Sequence, residues 1–105
     1  MVERSKVKIT VVKKLSTEDI YGGKLPDAIE DMETECPLFT EVKEFIVDEV
    51  GNMPQGFCSW AWADIQRDVT HLRFQGDFPW MKVKGVTYAC CTDGLRPVFF
   101  KLERI

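Results

Sequence analysis

The chain has 105 residues, 45% of them hydrophobic and 30% charged, with a formal net charge of −3. That length fits one domain with one core, and that composition excludes an intrinsically disordered chain. Nine acids against a single base, Lys43, lie between Asp27 and Glu49, and a stretch so acidic repels phosphate backbones and argues against nucleic-acid binding.

Lys6–Lys13 alternates, with Val7, Ile9 and Val11 on one side and Lys6, Lys8 and Thr10 on the other, which is the pattern of a half-buried strand. Ser16–Ile20 can start a short helix that Gly22-Gly23 and Pro26 interrupt. Leu25–Thr34 reads either as a short helix or as an exposed loop, and Cys36-Pro37-Leu38-Phe39 ends it. Val42–Asp48 is a second strand, with Phe45 and Val47 on one face. Gly51-Asn52-Met53-Pro54 is a turn.

The main helix is expected from about Ser59 to Phe74. Cys58, Trp62, Ile65, Val69 and Leu72 recur at spacings of four and three, which places them on one stripe. Ser59 is the expected N-cap and Gly76 the expected stop. A C-terminal hairpin follows, Val86–Cys91 paired with Val98–Arg104, its turn using Asp93-Gly94 to supply positive φ. The fold class is therefore α+β. The expectation is a small, mostly antiparallel sheet of about four strands, free to curl toward a barrel, covered by one main helix in a single domain, 1–105.

No apolar run approaches the ~20 residues that span a membrane, and the alternating N-terminal segment is not an apolar leader. A cytoplasmic location without membrane association is expected, where cysteines are more often buried, metal-bound or reactive than disulfide-bonded. The thiols are Cys36, Cys58, Cys90 and Cys91. None lies in a Cys-x-x-Cys pair, so a metal site would have to be assembled by the tertiary fold. Strand alternation sends Cys90 and Cys91 to opposite faces, which favours a set of three over a set of four. Cys58 stands at the start of the helix, where the dipole favours a thiolate, but it also begins the apolar stripe, where desolvation opposes one.

Other candidates are few. Trp60 lies off the stripe that carries Trp62 and is free to line a pocket or an interface. Arg96 is suited to a carboxylate or phosphate, or to a nearby acid of the chain itself. The segment Gly76-Asp77-Phe78-Pro79-Trp80 is expected to pack an aromatic back onto the sheet. His71, the only histidine, has no companion for a triad or a metal motif. No phosphate loop, Walker motif, dinucleotide fingerprint or HExxH is present, which argues against nucleotide enzymes and hydrolases built on a serine–histidine pair.

Four blocks occur in order: Cys36-Pro37-Leu38-Phe39, Gly56-Phe57-Cys58-Ser59-Trp60-Ala61-Trp62, Gly76-Asp77-Phe78-Pro79-Trp80 and Cys90-Cys91-Thr92-Asp93-Gly94-Leu95-Arg96-Pro97-Val98. Together they resemble an uncharacterised family of small cysteine-containing proteins, about 100 residues long, of anaerobic bacteria and archaea. The resemblance implies a set of three thiols, at Cys36, Cys58 and Cys91, with Cys90 absent from some relatives. An anaerobic setting suits an oxygen-sensitive cluster or thiol.

Three functions fit these residues. One is a small binding or accessory protein with a site at Cys36, Cys58 and Cys91, joined or not by Cys90. Its cofactor would be zinc or an iron–sulfur cluster, or the thiols would act alone. Trp60 and Arg96 are its candidate ligand contacts. A second is an interaction module, meeting a protein partner or another copy of itself, whose cysteines merely pack. The third is an enzyme using Cys58 as nucleophile.

Overall fold

The computed structural model describes residues 3–105. Six elements follow in chain order: β1 (Val7–Lys14), α1 (Thr17–Tyr21), β2 (Glu44–Val47), α2 (Ser59–Arg73), β3 (Val86–Cys90) and β4 (Val98–Arg104). The strands form one antiparallel sheet in the order β2-β1-β4-β3. Its two edges, β2 and β3, do not pair with each other, so the sheet is open and the curl toward a barrel does not occur.

Period-two patterning decides which face is inside. Val7, Ile9 and Val11 of β1, Phe45 and Val47 of β2, and Val98, Phe100 and Leu102 of β4 are all buried. Helix α2 lies over this face and contributes Ala61, Ile65, Val69 and Leu72 to the same core. The buried stripe thus runs through Ala61. The expected members Cys58 and Trp62 are only half-buried and pack at its margin. Burying nine fully enclosed large side chains, Phe100 the biggest, is what holds helix to sheet.

Local chemistry sets the ends of the elements. Ser16 caps α1 through a reciprocal box, the Asp19 amide donating to Ser16 Oγ at 3.0 Å and the Ser16 amide to Asp19 Oδ2 at 2.8 Å. Gly22, with φ 71°, stops it. Residues 25–34 form a loop without helix, because the acids there have no apolar stripe to bury.

The N-cap of α2 is Cys58 and not Ser59, which is already the first helical residue. The Cys58 side chain makes no capping bond. At the other end, the Gly76 amide donates to the His71 carbonyl at 2.8 Å and the Gln75 amide to the Leu72 carbonyl at 3.1 Å. That pair of bonds is a Schellman stop, and its left-handed residue is Gln75 (φ 71°), not Gly76. Gly76 is needed for a different reason: a Cβ there would run into the His71 ring.

The β3–β4 connection also differs in its turn. Gly94 does not adopt positive φ. Instead Asp93 Oδ1 accepts from the Leu95 amide at 2.8 Å and the Arg96 amide at 3.2 Å, an Asx turn that closes the loop without left-handed backbone. Tyr21 Oη donates to the Gly94 carbonyl at 2.8 Å, tying α1 to the same loop.

The loop after α2 seats Phe78 against the core, with its ring 4.8 Å from His71, while Trp80 remains 72% exposed. Asp77 anchors the loop. Its Oδ1 accepts from the Gly85 amide at 2.7 Å and pairs with the Arg104 guanidinium at 2.9 Å. Those bonds, Arg104 first and the Gly85 amide second, hold its carboxyl below the usual carboxylate range. Among the described residues no helix is long and apolar enough to cross a membrane.

Candidate thiol pocket

Three segments far apart in the chain meet at the N-terminal end of α2. The helix brings Cys58 at its cap and Trp60 in its first turn. Alternation along β3 turns Cys90 outward and the next residue, Cys91, inward, where it is 8% exposed. The third segment is the loop at Cys36. A cavity of about 310 Å³ lies between them, and Cys36, Cys58 and Cys91 all line it. Trp60 and Arg96 line it too.

Long-range bonds fix the segments that carry the thiols. The Cys91 amide donates to the Val98 carbonyl at 3.1 Å, and the Val98 amide donates back to Cys91 Sγ at 3.3 Å. Asp64 of α2 reaches across to this strand end, accepting from the Thr92 amide at 2.7 Å and from the Thr92 hydroxyl at 3.0 Å. That clamp joins the helix that carries Cys58 to the segment that carries Cys91. Lys14 Nζ donates to the Cys36 carbonyl at 2.9 Å, and the Thr40 hydroxyl to the Pro37 carbonyl at 2.9 Å, so β1 holds the loop.

Phe39 gives that loop its shape. Its ring is buried among Phe45, Phe57 and Phe100, with centroids 5.1 to 5.7 Å away. Its backbone is left-handed, φ 61°, a conformation that a bulky residue adopts only when its surroundings compel it. Anchoring the ring inward while reversing the chain leaves Cys36, Pro37 and Leu38 as one wall of the cavity.

Cys90 stands apart. It is exposed on the outer face of the sheet, outside the cavity lining. Partial burial of its thiol raises the pKa above the ordinary value, and the neighbouring Cys91 and Asp64 raise it further. A raised pKa keeps it protonated at neutral pH and weakens it as a nucleophile.

The expected zinc or iron–sulfur centre does not fit this arrangement. Among the described residues no group of three or more histidine, cysteine or acidic side chains is gathered to hold a metal ion. The thiols stand around a cavity, whereas zinc requires ligand atoms converging on a point about 2.3 Å from each sulfur. The expected nucleophilic role of Cys58 gets no help from His71. His71 lies thirteen residues along the same helix, roughly 20 Å away by helical rise. It is engaged there with the Asp77 carbonyl at 2.9 Å.

Among the described residues Arg96 has no acid as ion-pair partner. Its Nη1 makes one long contact, 3.4 Å, to the Glu33 carbonyl, and its Nε is sealed from solvent without any hydrogen bond. Asp64, Lys14 and Tyr21, which position the pocket walls, carried no signal in the sequence, because each acts on a backbone group 22 or more residues away. Comparison of the chain with protein-family models, with curated proteins and with solved structures finds no match.

Proposed function

We propose that this is a small cytoplasmic binding or accessory protein whose ligand rests against the thiols of Cys36, Cys58 and Cys91. One observation carries the reading: three of the four cysteines, drawn from a loop, a helix start and a strand end, open onto one cavity. Thiols are soft and polarisable, and a wall of them suits a small, largely apolar ligand. The exposed Trp60 indole at the rim adds a flat surface for it. Binding is favoured over turnover because the one histidine is held by the Asp77 carbonyl, thirteen residues along the helix from Cys58.

Alkylation of the native, reduced protein by iodoacetamide, mapped by peptide mass spectrometry, tests the reading. Cys36 and Cys58 should react in the folded state, with Cys91 slower. Alanine at Cys36 or Cys58 should shift stability by no more than about 1 kcal/mol. If both cysteines react only as fast as the protein unfolds, there is no accessible thiol pocket and the proposal fails.

The rival reading is packing alone, and the burial of Cys91 favours it. It expects each Cys→Ser change to cost ~1–3 kcal/mol and to alter nothing else. Loss of ligand retention with stability intact would separate the two.

A further inference from the structure

We propose that the thiol pocket takes a small organic anion, a carboxylate or a phosphate monoester with an apolar body, and that Arg96 is its anchor. The inference rests on the reading of the cavity as a ligand site and names the class of ligand.

Arg96 carries a charge with no ion-pair partner among the described residues. Acids outnumber bases in this chain by 17 to 14, and an arginine near a loop of acids ordinarily finds one. Arg96 does not. None of the four ion pairs among the described residues includes it. Asp93, the acid nearest in sequence and itself on the cavity wall, commits its Oδ1 to the Leu95 and Arg96 amides. The guanidinium keeps one long contact to a carbonyl, and its buried Nε donates to nothing. Arg73 Nε is closed off in the same way, so the anchor is the Nη side of the guanidinium, whose spare N–H groups match a carboxylate or phosphate oxygen pair.

The remaining wall has the opposite character. Pro37, Leu38, Phe39, Trp60, Ala61 and Val98 present carbon to the cavity. Arg96 is the one cationic group on a wall that otherwise carries carbon, three thiols and the Asp93 carboxylate, whose Oδ1 is already taken by two backbone amides. Such a site selects an anionic head on an apolar body, with few polar groups fixing orientation. The volume of about 310 Å³ limits the size. At ~30 Å³ for each water in the liquid, it holds roughly ten such volumes, the scale of a single substituted ring.

Three probes of similar bulk test this on the full, reduced chain by isothermal calorimetry: phenylacetate, phenyl phosphate and the neutral 2-phenylethanol. At least one anion should bind ten times more tightly than the alcohol, and the preferred anion tells carboxylate from phosphate. Arg96→Gln should abolish that preference, and Arg96→Lys, a point charge without the fork, should retain part of it. Should Arg96→Gln not fold, the anion-to-alcohol ratio of the unaltered protein and the Arg96→Lys variant decide. Equal affinity for all three probes, an anion affinity changed less than twofold by Arg96→Gln, or no binding by any probe overturns the proposal. Protection of Cys36 and Cys58 from iodoacetamide by the alcohol as well as by the anions would sink the anion anchor while leaving the thiol pocket standing. Failure of both thiols to label in the folded state would sink the pocket itself.

Discussion

Phe39 offers a test in which the usual order of two substitutions reverses. Its ring is 8% exposed and packs on Phe45, Phe57 and Phe100, yet its backbone is left-handed. Removing the ring should cost about 3–5 kcal/mol, the range for a buried phenylalanine. Alanine still suffers the Cβ clash of left-handed backbone, roughly 1–2 kcal/mol. Glycine escapes the clash but loses about 0.4–1 kcal/mol through the freer unfolded chain. Glycine should therefore be the more stable replacement by somewhat under 1 kcal/mol, that being the difference of the two effects. At Phe57, in the same ring cluster but without positive φ, glycine should be the worse. Urea titrations followed by circular dichroism measure both pairs, and a common slope shows that the unfolded states are comparable. If Phe39→Ala proves as stable as Phe39→Gly, or more so, the claim that this wall of the pocket is held against its local preference is refuted.

Asp64→Ala removes the clamp on Thr92 and should cost about 1–2 kcal/mol, as expected for a partly exposed bond to a charged acceptor. Faster hydrogen exchange at the Thr92 amide would locate the loss, and an unchanged exchange rate would contradict the clamp. Gly76→Ala drives a methyl into the His71 ring and should cost about 1–3 kcal/mol. Adding His71→Ala should recover much of that loss, and strict additivity of the two changes would argue against the clash. The carboxyl of Asp77 is held below its ordinary range by Arg104 and the Gly85 amide. Its stabilising effect is then complete above the unfolded-state value near pH 4 and disappears as pH falls through the lower folded value. Melting temperatures measured from pH 6 down to pH 2 should fall less steeply for Asp77→Asn, and parallel curves would remove Asp77 from the acid response.

The sequence by itself determined what repeats. Alternation in Val7–Val11 and Phe45–Val47, and the three-and-four spacing of Ile65, Val69 and Leu72, are periodic because each element buries one face. The four strands, the long helix and the opposite facing of Cys90 and Cys91 follow from that period, while the structure shows that Cys91 is the one turned inward. Non-repeating features were decided by tertiary contacts. Cys58 became the cap although Ser59 has the better side chain for it. Gln75 took the left-handed position of the stop, and the glycine beside it serves instead to leave room for the ring of His71. Asp93 closed its turn by side-chain acceptance and not through Gly94. Phe39 accepted an unfavourable φ because three aromatic neighbours hold its ring. The pocket belongs with these. Spacing could not say whether cysteines 22 and 33 positions apart would meet, nor that they would line one cavity. Convergence depends on where a loop, a helix start and a strand end are fixed by long-range bonds, and bonds between residues distant in sequence leave no period to read.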